Sequence, residues 1–358
     1  EMCIRDRYTA EVTVELQQID GLLPMVKGVI GSGQDMPDVV VFDSDAMKDE
    51  SLTDLFLDLS DLGLKNSADI KMIPYVYQTG FAEDGSLIGL SYQANPMAIY
   101  YRRSFAMEAF GTEDPLEIGK KFESYSNMKE TANLLDKKGV KLFADMYSLR
   151  YFSGLHQPFF DGEMNVQSSE EVRILLELAK QLQFKEQVAF ATEWSNQWLQ
   201  GMSQPILKED GSEDRIFAYV LPNWALSNVL MLTGSGEDLV TASSQENEAD
   251  QASDSDQEND SDQISDSDQD IHIYNETMGD WAVAKLACPT YLGGSYMTVN
   301  KSGDNIDLAK EFVEYMVFDE GHIGTWLGES DMVSSLNTVT QTFEYGNAFL
   351  GGQDYHKI

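Results

Sequence analysis

The sequence predicts an α/β protein built as two domains, and three observations carry that reading. At 358 residues the chain is longer than one ordinary core organises. The runs Asp38–Phe42 (DVVVF), Val140–Asp145 (VKLFAD) and Ile216–Leu221 (IFAYVL) read as buried strands. Between them, apolar residues recur at helical spacing. With 42% hydrophobic and 11% aromatic residues, there is enough apolar surface for two cores. The two cysteines, Cys3 and Cys288, do not provide a disulfide framework, so the fold must rest on burial. Cys288 sits in an apolar context and is expected to be buried.

Glu11–Gln18 alternates as a strand, with Val12, Val14 and Leu16 on one face. Leu22–Ile30 has helical spacing and stops at Gly31-Ser32-Gly33. DVVVF is β-branched throughout, the pattern of a parallel strand covered on both faces, and the three elements make a βαβ unit. Leu52–Leu64 reads as a short helix. Farther on, Pro115–Lys137 reads as helices, VKLFAD as a strand and Tyr147–Phe160 as an aromatic-rich helix. Ser168-Ser169-Glu170-Glu171 is a capping pattern for a helix through Phe184. Thr192–Met202 places Trp194 and Trp198 four apart on one helix. IFAYVL is closed by Pro222-Asn223-Trp224. Strands at Trp281–Leu286 and Tyr296–Val299 and a helix at Asp307–Phe318 follow.

Within this pattern Leu87–Arg103 stands apart. Ile88–Tyr92 and Met97–Tyr101 are apolar runs separated by Pro96, with Tyr92, Gln93 and Asn95 at the corner. Uncharged hydrogen-bonding side chains interrupting a buried sheet suit a pocket for a neutral, hydroxyl-rich molecule.

Composition excludes several functions. Lys+Arg 24 against Asp+Glu 61 gives a formal charge of -37, which repels phosphate backbones and anionic membrane surfaces, so no nucleic-acid partner is expected. No window approaches the roughly eighteen consecutive apolar residues of a membrane-spanning helix. GxSxG, HExxH, GxxxxGK[ST] and GxGxxG motifs are absent, and His156, His272, His322 and His356 lack ligand spacing. Among 61 acids no carboxylate pair singles itself out for glycoside hydrolysis. Residues 242–270 hold eleven acids, no Lys, Arg or aromatic residue, and Ser-Asp-Ser-Asp-Gln twice. They cannot bury enough to offset their ordering entropy, so 235–270 reads as a disordered acidic insert. The repeat lacks the glycine turn and final glutamate of a calcium loop, so no metal and no cofactor is expected.

Aromatic residues at strand ends are the strongest candidates for ligand contact, because open α/β sheets bind at the carboxyl ends of strands. Trp224 follows IFAYVL, Tyr92 ends a strand, Tyr151 follows VKLFAD, and Tyr296 follows Gly293-Gly294. Each is either a contact or core packing. Of Trp194 and Trp198, one is expected to pack, leaving Trp194 as the candidate. Asp43 and Asp45, beyond DVVVF, either accept hydroxyl protons or cap the next helix.

In their order and spacing these blocks resemble the extracellular solute-binding proteins of bacterial carbohydrate ABC importers. The matching pieces are PDVVVFD (37–43), GSLIGLSYQANPMAIYYRRSF (85–105), KGVKLFAD (138–145), TEWSNQW (192–198), FAYVLPNWALSN (217–228) and residues 279–317, from GDWAVAKLACPTYLGG onward. The resemblance implies a two-lobe periplasmic-binding-protein-like fold with hinge crossings near Pro96–Ala98, Pro289–Leu292 and Phe318. Residues 8–97 with 291–318 would form one lobe, 98–290 with 319–358 the other. It implies a sugar ligand, membrane permease partners, a monomer, and no catalysis. By position it carries over Asp45, Gln93, Asn95, Tyr151, Trp224, Gly293 and Gly294 as ligand-facing. Compared with the family, the first strand and helix and the final helices are missing. Glu1–Arg7 (EMCIRDR) has no signal-peptide character and reads as a non-native head, so an export signal or lipid-anchor cysteine would have preceded it. A same-fold binder of a peptide, polyamine or iron complex, and a carbohydrate-active hydrolase, remain the alternatives.

Overall fold

The runs with the clearest strand patterning, at Val140, Ile216, Trp281 and Tyr296, all form strands. The computed structural model describes residues 13, 19–32, 36–62, 71–152, 160–161, 163–166, 170–233, 276–329, 332–342 and 346–357. The head 1–7, the Ser168-Ser169 cap, the acidic insert and, Thr13 apart, the strand expected at Glu11–Gln18 lie outside them.

The helices are α1 Ile19–Ser32, α2 Pro74–Thr79, α3 Arg103–Phe110, α4 Pro115–Lys120, α5 Tyr125–Asp136, α6 Glu170–Phe184, α7 Asn196–Gln200, α8 Ile306–Phe318, α9 Glu320–Glu329 and α10 Asn337–Thr342. The strands are β1 Val39–Asp43, β2 Leu90–Ser91, β3 Gln93–Ala94, β4 Met97–Arg102, β5 Val140–Phe143, β6 Ile206–Leu207, β7 Glu213–Pro222, β8 Trp281–Ala284, β9 Ser295–Val299 and β10 Val333–Ser334, which pairs with β3. Two compact units result. Glu1–Ala94, Gly293–Trp326 and Ser334–Val339 form the first; Asn95–Leu292, Leu327–Val333 and Thr340–Ile358 form the second. Residues 319–326 and 334–339, expected in the second lobe, therefore belong to the first unit.

The first unit holds the sheet β1-β9-β2, in which β9 pairs antiparallel with both neighbours. Among the described residues DVVVF is thus not a parallel strand. Its faces differ as well, since Val40 and Phe42 are buried while Val41 is 42% exposed. A β-branched run reports strand propensity but not the direction of its partner. Phe42 packs edge-on against Phe56 at 5.5 Å. The helix expected at Leu52–Leu64 is replaced by the 3-10 turns Glu50–Asp54 and Leu59–Leu62. Local chemistry explains this. Asp49 takes the amide and hydroxyl of Ser51, and Asp58 those of Ser60. Such Asx bonds compete with helix continuation. Lys27 of α1 reaches Asp49 at 2.6 Å, and this bond, with those from Ser51, lowers the Asp49 carboxyl to about 2.

The second unit carries the strand order β5-β7-β4-β8, with β6 on β7. β5 runs parallel to β7, and β4 antiparallel to β7 and β8. Helix α5 begins where the Ser124 hydroxyl accepts the Asn127 amide at 3.1 Å, and buries Met128, Thr131, Ala132 and Leu135 on one face. In α6, Val172, Leu175, Leu178 and Leu182 form the buried stripe, at the spacing of an amphipathic helix. The core between helices and sheet is aromatic. Phe122 lies parallel to Phe217 at 6.4 Å and to Phe152 at 5.9 Å. The aromatic-rich helix expected at Tyr147–Phe160 is a 3-10 stretch, Tyr147–Phe152, beyond which 153–159 are not described. Cys288 is only half-buried.

One close approach in this unit gives a stability prediction. A Cβ at Gly201 would run into the Tyr219 hydroxyl, which is buried and donates to the Trp198 carbonyl at 3.0 Å. Gly201→Ala should therefore cost about 1–3 kcal/mol, the range for overpacking. Urea unfolding checks this, and an unchanged midpoint would show that Tyr219 can move aside.

Candidate functional site

Each unit carries a surface that combines aromatic rings with polar groups. In the second unit, β7 ends at Pro222, and Trp224 follows in the turn that leads to the helical stretch Leu226–Leu230. The Trp224 indole N–H donates to the Leu292 carbonyl at 3.3 Å. Its ring lies near-parallel to Trp194, 12° between planes and 6.0 Å between centroids. At that separation eclipsed rings would not touch, so the pair is an offset stack.

Trp194 is not on a helix with Trp198. The Ser195 hydroxyl accepts the Trp198 amide at 3.3 Å and starts α7 at Asn196. This leaves Trp194 outside, with φ 65°. A left-handed bulky residue costs about 1–3 kcal/mol and persists only where its surroundings over-determine it. Trp194 is 42% exposed and Trp198 1%, so Trp198 is the packing member.

Tyr151 is joined through Arg150 to Glu193, the residue before Trp194. Arg150 holds both Glu193 oxygens, at 2.9 and 3.0 Å, and donates to the Tyr151 hydroxyl. The guanidinium also lies over the Tyr151 ring at 4.4 Å. Burial raises the Tyr151 phenol above its ordinary range, with Arg150 opposing, so the hydroxyl stays protonated and able to bond. Two residues past β5, Asp145 accepts the Ser148 amide at 2.7 Å and the Trp198 indole N–H at 2.6 Å. Asn95 is 4% exposed, and its backbone carbonyl accepts the Leu292 amide at 3.1 Å.

In the first unit, β-sheet register assembles the polar corner. Asp43 pairs with Ser295 across β1 and β9, and the Gln93 amide donates to the Ser295 hydroxyl at 2.9 Å. Tyr92 stacks on Trp326 of α9 at 4.8 Å and 27°. Burial raises the Tyr92 phenol, and a bond with Ser295 opposes that shift. Asp43 accepts the Asp45 amide at 2.9 Å. Asp45 makes no side-chain cap and ion-pairs with Lys48 at 2.6 Å on the exposed surface, so the capping alternative does not hold for it.

Of the two readings of Tyr296, contact or core packing, its surroundings give packing. Tyr296 is 2% exposed, and its hydroxyl donates to the Val76 carbonyl at 3.0 Å, so it is a core residue of this unit. The small size of Gly294 serves that ring. A Cβ there, at φ 151°, would lie 2.8 Å from the Tyr296 ring. Gly293 also has positive φ, 79°, two residues before β9 begins. Trp326, Ser295, Glu193 and Arg150 were not anticipated from the sequence.

The Tyr92–Trp326 stack continues through His322 to Tyr315, at 5.5 and 4.7 Å. Burial lowers the His322 pKa from 6.5, and Asp319 opposes the shift. With the folded value depressed, the unfolded chain binds the proton more readily. The stability this ring contributes is complete above about 6.5 and is lost as pH falls through the folded value. The fall in melting temperature from pH 7.5 to 5.5 should therefore be smaller in His322→Phe than in the unaltered protein. Equal falls would contradict the shift.

Among the described residues no cluster of three or more His, Cys, Asp or Glu could hold a metal ion. No described helix is long and apolar enough to cross a membrane.

The family described as Bacterial extracellular solute-binding protein matches residues 7–330. No curated protein sequence matches the chain. Among solved structures, an extracellular solute-binding protein of family 1 superposes with TM-score 0.69 at 15% identity, covering 96% of this chain and 77% of that one. The sugar-binding protein MalE from Xanthomonas citri gives 0.65 at 12% identity, covering 99% and 78%. A binding protein associated with an ABC transporter of B. animalis subsp. lactis, in complex with β-1,6-galactobiose, gives 0.61 at 16%, covering 100% and 80%. These likenesses show the fold, that of the two-lobe solute-binding proteins.

Proposed function

The chain belongs to the bacterial extracellular solute-binding protein family, and we propose that its solute is a neutral sugar or oligosaccharide, handed unchanged to an ABC permease. The observation that carries this reading is the Trp194–Trp224 pair, near-parallel and with Trp194 42% exposed. A flat aromatic face matches the C–H face of a pyranose ring, and a strained exposed tryptophan is kept where it has a task. In the second unit Arg150 joins Tyr151 to Glu193, the residue before Trp194; the first unit separately carries Gln93, Ser295, Asp43 and Tyr92. These amides, hydroxyls and carboxylates suit hydroxyl recognition. The β-1,6-galactobiose bound by the B. animalis protein supports the same solute class.

The protein acts as a monomer outside the cytoplasmic membrane, lipid-anchored or periplasmic, with the permease as its partner. It is a binder and not a catalyst. The lobes of this reading are residues 8–94 with the return segments of the first unit, and the remainder. Incubation with an oligosaccharide panel, followed by chromatography and a reducing-end assay, tests it. Sugar recovered intact from a protein complex is expected; new reducing ends would mark the protein as a hydrolase.

A further inference from the structure

We infer that Asp145 is the positioning residue of the second unit's aromatic surface, and that only a carboxylate can fill the place. Its side chain is 1% exposed, and burying a charge is costly unless hydrogen bonds satisfy it. Donors approach both of its oxygens. Oδ1 accepts the Ser148 amide at 2.7 Å, Oδ2 accepts the Trp198 indole N–H at 2.6 Å, and the Ser148 hydroxyl lies 3.2 Å from each. An asparagine would have to turn its NH2 toward either the amide or the indole, donor against donor.

The two sides of this carboxylate lead to the two sides of the site. Ser148 belongs to the 3-10 stretch that carries Arg150 and Tyr151. Trp198 packs on Trp194 at 4.9 Å, and Trp194 in turn lies against Trp224. Asp145 therefore fixes the position of groups it does not touch. Tyr219 braces the same tryptophan from its backbone side, through the Trp198 carbonyl, and provides a comparison in the same network.

The consequence for sugar binding rests on the function proposed above; the geometry does not. Close indoles couple in far-ultraviolet circular dichroism, and the paired band reports their mutual orientation without any ligand. In Asp145→Asn, at temperatures where the protein is fully folded, the band should lose at least half its amplitude. Affinity for whichever of maltose and β-1,6-galactobiose the unaltered protein binds should fall about tenfold or more. Tyr219→Phe should lower the melting temperature and leave the band intact. Asp145→Asn should recover affinity when combined with Trp198→Phe, which removes the opposed donor. A full band in folded Asp145→Asn overturns the inference. Should that variant fail to fold, the Trp198 indole proton of the unaltered protein decides. It must resist solvent exchange, and exchange as fast as that of Trp194 also overturns the inference. An unaltered protein that binds neither sugar counts against the sugar reading, while the band still decides the role of Asp145.

Discussion

Trp224→Ala weakens sugar binding by about tenfold or more and leaves the second unit folded. Tryptophan buries up to about 250 Å². If a sugar covers about a quarter of that, the lost contact at about 25–30 cal/mol per Å² is about 1.5–2 kcal/mol, and about 1.4 kcal/mol is already tenfold. The substitution also removes the 3.3 Å bond to Leu292 and the face against Trp194. Trp194 then has one ring fewer to hold its left-handed backbone, so the binding loss should exceed the contact estimate. The rest of the turn is anchored independently, since the Asn223 amide donates to the Pro96 carbonyl at 3.1 Å and Ala225 and Leu226 are fully buried. Titration calorimetry on the purified variant measures the effect. An isotherm like that of the unaltered protein would place the sugar elsewhere.

Phe217→Ala is expected to cost about 3–5 kcal/mol of stability, the range for removing a buried phenylalanine. Phe217 is fully buried on β7, the strand that joins β5 to β4. Its ring meets Phe122, Tyr101 and Phe110 at 6.4, 5.9 and 5.7 Å. Neighbours on three sides cannot all collapse into the vacated space, so most of the cavity term persists. Against a typical total of about 5–15 kcal/mol, the loss leaves the second unit marginal. An unfolding free energy from denaturant titration within about 1 kcal/mol of the unaltered protein's would show that this aromatic core repacks freely.

What was legible in the sequence was local. VKLFAD, IFAYVL and the strand and helix after Gly294 carry their periodicity within a few residues, and they formed as read. Trp224 was legible because Pro222-Asn223 ends a strand directly before it. What depends on register or on distant partners was not. Tyr92 meets Trp326 only through the tertiary fold, and nothing near Trp326 in sequence marks it. DVVVF gave no sign of an antiparallel partner at β9, more than 250 residues away. At Thr192–Met202 the apolar spacing suggested one helix, but a single serine cap at Ser195 moved its start past Trp194. The same kind of side-chain competition turned Leu52–Leu64 into 3-10 turns. Asp145 read only as an acid closing a strand, because its second donor is 53 residues away.

The most direct measurement is a calorimetric titration of the unaltered protein against a panel of neutral oligosaccharides, a polyamine, a short peptide and a ferric chelate, with tryptophan fluorescence followed in parallel. Saturable binding of at least one neutral sugar, with a change in tryptophan emission that Trp194→Ala diminishes, is the predicted result. Binding confined to a charged solute, with tryptophan emission unchanged, would contradict the account.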